Sequence, residues 1–100
     1  MFKTTQINQI EITTGGTIQV RIALQIADAS GVLSSKWHRT SCPPGSDVDL
    51  QFSEVNSHLT QMGEIPVIQA DIDKVKAHAA LAWTPEIISA YNLSKAQSTL

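Results

Sequence analysis

The sequence predicts an α+β fold. A three-stranded antiparallel meander over about 5–13, 17–27 and 32–40 is followed by three helices over about 46–62, 69–82 and 84–92, packed on one face. Three observations carry this expectation. Apolar residues alternate with period two before Pro43-Pro44-Gly45 and recur at three- and four-residue spacings after it. Two turn clusters, Thr14-Gly15-Gly16 and Asp28-Ala29-Ser30-Gly31, cut the first part into three runs. The two prolines and the glycine then end the sheet, because proline brings no amide to a ladder.

The first run, Thr5–Thr13, places Ile10 and Ile12 on one face. Thr17–Ala27 is the clearest strand. Ile18, Val20, Ile22, Leu24 and Ile26 share one face, and Thr17, Gln19, Arg21, Ala23 and Gln25 the other. That alternation belongs to an antiparallel strand buried on one side only. Val32–Thr40 alternates more weakly, with Leu33, Ser35 and Trp37 on one side and Val32, Lys36 and His38 on the other. Weak alternation points to an edge strand or to a surface against a partner.

Ser46 is the expected cap of the first helix, with Asp49 at the third helical position as in a capping box. Asp47 and Asp49 suit the positive end of the helix dipole. Val48, Phe52, Val55, Leu59 and Met62 form one apolar stripe, and Gly63 is a natural stop. In the second helix Ile72, Val75, Ala79 and Ala82 form the stripe, and Ala77 and Ala80 leave room for another helix. Thr84-Pro85-Glu86 is a strong third start, with Ile87, Ile88 and Tyr91 facing inward. The run 94–100 has no such pattern and reads as a flexible C-terminal tail to a single domain over 1–93.

Composition narrows the function classes. At 42% hydrophobic and 16% charged, the chain has the apolar content to build a core and is not a disordered tract. Its net charge of −2 is unevenly spread. Lys3, Arg21, Lys36 and Arg39 outweigh Glu11 and Asp28 in the sheet-forming part, while seven acids outweigh Lys74, Lys76 and Lys95 in the helical part. Nucleic-acid binding needs denser clustering of Lys and Arg, so it is not favoured. Uneven charge of this kind can orient a subunit against a complementary neighbour. No stretch approaches a membrane span, and the start lacks a secretory pattern, so no membrane insertion is expected.

No residue set points to catalysis. Cys42 is the one cysteine and sits between Ser41 and Pro43, away from a helix start. His38, His58 and His78 show neither His-x-x-x-His nor Cys-x-x-Cys spacing, so no metal site is expected. Asp47/Asp49 and Asp71/Asp73 lie at helix starts, where capping alone explains them. Gly15-Gly16 lacks a phosphate-loop context. The expectation is a non-enzymatic chain without a cofactor.

Lys36-Trp37-His38-Arg39 is the segment with most specificity, and these four are the candidate partner-binding residues. A tryptophan among three cations fits an interface hot spot, a stacking site for bases, or a core residue with solvated neighbours. Trp83, just before Thr84-Pro85, reads as a residue packing the hinge between two helices.

Several stretches taken together carry a resemblance. They are Thr17-Ile18-Gln19-Val20-Arg21, Ser34-Ser35-Lys36-Trp37-His38-Arg39-Thr40, Pro44-Gly45 with Asp47-Val48-Asp49, Val55-Asn56-Ser57-His58-Leu59 with Met62-Gly63, and Ala70-Asp71-Ile72-Asp73 through Lys76-Ala77-His78 to Leu81-Ala82-Trp83-Thr84-Pro85-Glu86. Their order resembles small uncharacterised proteins encoded in the tail-gene region of tailed bacteriophages and prophages, from about Thr17 to Tyr91. None of these motifs reports chemistry. The resemblance implies a virion or tail-associated structural or assembly subunit, in the virion or the cytoplasm of the infected host. Its partners would be other phage structural proteins or a second copy. The alternative it leaves open is an accessory protein that binds a host protein.

Overall fold

A computed structural model describes residues 2–98. Its strands are β1 (Phe2–Ile12), β2 (Ile18–Asp28) and β3 (Gly31–Cys42), and its helices α1 (Val48–Gln61), α2 (Gln69–Ala82) and α3 (Pro85–Ser98). The sheet order is β1-β2-β3, antiparallel throughout, so the chain has the α+β meander-then-helices arrangement. The strands outrun their apolar patterns because pairing sets their length. Phe2, Lys3 and Thr4 are held in the sheet by Ala27, Ile26 and Gln25 of β2.

The apolar face of β2 is the floor of the core. Ile18, Val20, Ile22 and Leu24 meet Val48, Phe52, Val55 and Leu59 of α1 and Ile72, Val75 and Ala79 of α2. Helix α1 lies on the β3 side, where Gln51 Nε2 donates to Thr40 Oγ1 at 2.7 Å. Helix α2 lies on the β1 side. There the register of β1 slips between Ile7 and Gln9, and the Ile7 amide donates to Asp71 Oδ2 at 3.2 Å. Asp71 therefore does more than sit at a helix start: it accepts a strand amide across 64 residues of chain. The α1–α2 connection is clamped by Asn56, which accepts from the Val67 amide at 2.8 Å and donates to its carbonyl at 3.3 Å. Glu64, in the same connection, lies 3.9 Å from Lys3 Nζ on β1 and 3.7 Å from Lys36 Nζ on β3, and so bridges both edges of the sheet.

Local signals hold with some shifts. The cap of α1 is Asp47, one residue after the expected Ser46: its carboxylate accepts from the Leu50 amide at 3.1 Å. The Ser46 amide is taken by Pro43 O in the preceding turn, at 3.1 Å, and the Ser46 hydroxyl is buried with no hydrogen-bond partner among the described residues. The α1 stripe stops at Leu59; Met62 is 47% exposed. Beyond it the Glu64 amide donates to Leu59 O at 2.8 Å and the Gly63 amide to Thr60 O at 3.1 Å. This is a Schellman ending, with Gly63 at φ 79°. Ala77 and Ala80 are exposed and receive no helix.

Helices α1 and α2 cover the sheet, and α3 meets it at one end. Thr84 Oγ1 accepts from the Ile87 amide at 3.3 Å and caps α3 as expected. Ile87 then lies against Gly16 and Ile88 against Gly45. The helix runs past its expected end near 92, so 94–98 are helical and only 99 and 100 of the expected tail lie outside the described residues. After Pro85 no glycine or proline interrupts it, and Ala90, Leu93 and Lys95 favour helix. The extents are 51 × 26 × 19 Å and the radius of gyration is 15.7 Å. A compact chain of this length measures about 13 Å.

Candidate interaction surface

The helical layer covers one face of the sheet and leaves the other open. The candidate segment Lys36–Arg39 divides between the two. Lys36 pairs with Leu24 and His38 with Ile22, so both stand on the helix side. Trp37 pairs with Ala23 and Arg39 with Arg21, so both stand on the open side. The four expected partner residues therefore do not form one surface. Trp37 is 51% exposed and outside the core, which removes its core reading. A register slip between Ile26 and Ala27 leaves Leu33 as an extra residue and sets Val32 opposite Ala27. Val32 thus shares the face of Trp37, not that of His38, because a bulge reverses the alternation beyond it.

The open face has two ends of different character. At one end Phe2 and Val32 flank Ala27, each 57% exposed. In the middle the Arg21 guanidinium lies over the Trp37 ring, 4.5 Å from its centroid, and its Nε donates to Asn8 Oδ1 at 3.0 Å. At the other end is a shallow cleft of about 280 Å³ lined by Gln9, Glu11, Gln19, Arg21, Arg39 and Ser41. Arg21 and Arg39 are direct cross-strand partners, a like-charge pairing that costs a sheet stability. Arg21 is engaged by Trp37 and Asn8, whereas the side chains of Arg39 and Glu11 make no ion pair or hydrogen bond among the described residues. Sequence alternation finds Arg21 on this face. It does not find Phe2 or Glu11, because β1 lacks a strong period and only its pairing assigns a side.

On the helix side, His38 meets His58 of α1 with ring centroids 5.6 Å apart and planes at 35°. Nothing in their spacing of 20 residues reveals this. Burial lowers the pKa of His38, and the charge of His58 lowers it further. The unfolded chain therefore binds more protons than the native state as pH falls below the ordinary value of about 6.5. The expected result is a lower melting temperature at pH 5.5 than at pH 7.5, with the difference reduced in His38→Gln. Exposed Asp28, lowered by the Ser30 hydroxyl and amide, and exposed Asp49, lowered by Lys76, act at more acidic pH. Thermal melts at the two pH values check this, and equal sensitivity in the variant would contradict it.

Cys42 is fully buried opposite Ile18 at the end of the core. Burial raises its pKa, which holds it as a neutral thiol. Among the described residues no group of three or more His, Cys, Asp or Glu is placed to hold a metal ion. No described helix is long and apolar enough to cross a membrane. Trp83 packs the hinge before α3 and donates from Nε1 to Gly16 O at 2.6 Å.

No protein-family model, curated protein or solved structure matches the chain.

Proposed function

We propose that this chain is a non-enzymatic bacteriophage protein, a virion or tail-associated structural or assembly subunit that works through protein–protein contacts. The observation that carries this reading is the one-sided burial of the sheet. A long three-stranded face is left without a covering layer among the described residues, and Phe2, Val32 and Trp37 stand on it more than half exposed. Apolar and aromatic side chains grouped on one open face are characteristic of interaction surfaces. The resemblance to small proteins of phage tail-gene regions supplies the context. The burial of Cys42 and the packing of His38 against His58 support a structural use of the groups best suited to chemistry.

Mass spectrometry of purified virions tests the proposal, and the chain should be detected at a fixed stoichiometry. Consistent absence from particles, together with one stoichiometric host protein recovered with the chain, would replace it with the accessory-protein reading. Within the preferred reading, Trp37→Ala should weaken partner binding by about tenfold or more, as for a hot-spot residue. Its melting curve should move little, because Trp37 is 51% exposed and lies outside the core. Equal losses of binding and stability would argue against an interface role for Trp37.

A further inference from the structure

We infer that the open face of the sheet is the contact between two copies of this chain, packed sheet against sheet about a two-fold axis that runs parallel to the strands over β2. The inference rests on the assembly reading above and names the partner. In this arrangement β1 of each copy lies over β3 of the other. Residues on opposite edges of the sheet, at the same end, are thereby brought together.

The surface is complementary to itself under that operation. At the apolar end, Phe2 on β1 and Val32 on β3 flank the same β2 residue, Ala27. The two-fold axis sets Phe2 of one copy over Val32 of the other, at two equivalent places. At the polar end, Glu11 lies on β1 opposite Gln19, and Arg39 on β3 opposite Arg21. Within one copy these charges are two strand spacings apart, about 10 Å across the sheet. Neither side chain has a partner among the described residues. The axis sets Glu11 of each copy over Ser41 of the other, two residues or about 7 Å along the strand from Arg39. Both side chains are long enough to meet diagonally there, which gives the unpaired acid and the unpaired base a role. Arg21 meets Arg21 of the other copy across the axis, a like-charge approach eased because each guanidinium is turned onto Trp37 and Asn8 of its own copy.

The available area is sufficient. Strands of 11 and 12 residues, at about 3.4 Å rise and 4.8 Å spacing, offer a footprint of about 500 Å² per copy. Two copies then bury about 1,000 Å², the lower bound for a specific interface. Facing sheets about 10 Å apart and within about 30° of alignment are the ordinary geometry of a β-sandwich. A contact at this lower bound is a reversible one, so association depends on concentration. Isologous two-fold contacts are the commonest way for identical chains to associate.

Sedimentation equilibrium on the full chain tests the contact. A concentration-dependent dimer is expected. Arg39→Glu and Glu11→Arg should each raise the dissociation constant about tenfold or more, because each places like charges in diagonal contact twice per dimer. The double variant restores opposite charges and should return to within about threefold of the parent. Both positions are exposed, and thermal melts of each variant report that it is folded. A chain that stays monomeric at high concentration overturns the inference. So does a dimer insensitive to both single substitutions, which would place the contact on another surface such as the β3 edge. Loss in both singles without recovery in the double overturns the Glu11–Arg39 pairing. A monomeric chain found in virions would leave the assembly reading standing with a different partner. A dimer never found in virions would remove that reading and leave this contact.

Discussion

Phe52→Ala should destabilise the fold by about 3–5 kcal/mol. Phe52 is the largest of the fully buried side chains and has no exposed surface. It stands in α1, over the apolar face of β2 and beside α2. Truncation removes the apolar contact of a whole ring and leaves a cavity. The walls cannot close on it: the sheet is fixed by its ladders, α2 by the Asp71–Ile7 bond, and the α1–α2 connection by Asn56. A loss of that size is a large share of the roughly 5–15 kcal/mol that holds a domain folded. It lowers the melting temperature by roughly 15–30 °C for a chain of this length. Denaturant unfolding checks it, with Leu50→Ala as a control on the same helix, where 59% exposure predicts little change. A parental melting curve for Phe52→Ala would contradict its place in the core.

Gly16→Ala should cost about 2–4 kcal/mol, through backbone strain and overpacking together. Gly16 has φ 92°, a conformation that side-chain-bearing residues rarely adopt. A Cβ there would come within 2.5 Å of Ile87 Cγ2 and 3.3 Å of Pro44 Cγ. The Gly16 carbonyl also accepts the Trp83 indole hydrogen bond, at 2.6 Å. The turn between β1 and β2 is thus where α3 is anchored, and a methyl group would push its first turn away. Limited proteolysis within 84–98 should accelerate, alongside the loss seen in denaturant. Gly15→Ala is the control, because nothing lies within 4 Å of a Cβ at that position. Equal behaviour of the two variants would remove the anchoring role of Gly16.

Elements with a strong internal rhythm are legible in the sequence. The five-residue alternation from Ile18 to Ile26 identifies β2 and its buried side. The spacing of Val48, Phe52, Val55 and Leu59 identifies the buried side of α1. Thr84-Pro85 marks the start of α3. Elements without such a rhythm are not legible: β1 begins at Phe2 only because β2 continues to Asp28. The end of α3 escapes the pattern because its last turns form without an apolar stripe, from helix-favouring residues and the lack of a breaker.

The candidate surface shows the same division. Alternation along β3 separates Trp37 from Lys36 and His38, but β3 has no apolar face to reveal which side the helices cover. Burial of Ile22 under α1 decides it, and with it the pairing of His38 with His58. Trp37 and Arg39 turn outward as a consequence.

What the sequence determined by itself was local: the type and order of the elements, the turns, and the caps within a residue. These follow from side-chain period and from the conformational limits of glycine and proline, which act over a few residues. Tertiary structure alone decided the slip at Leu33, the Asp71 bond to Ile7, and the open face with Glu11 and Arg39 on opposite edges. Each joins residues far apart in the chain, and its geometry depends on strand register and on the layer packed against the sheet. Many sequences with the same local rhythm could satisfy that packing in other ways.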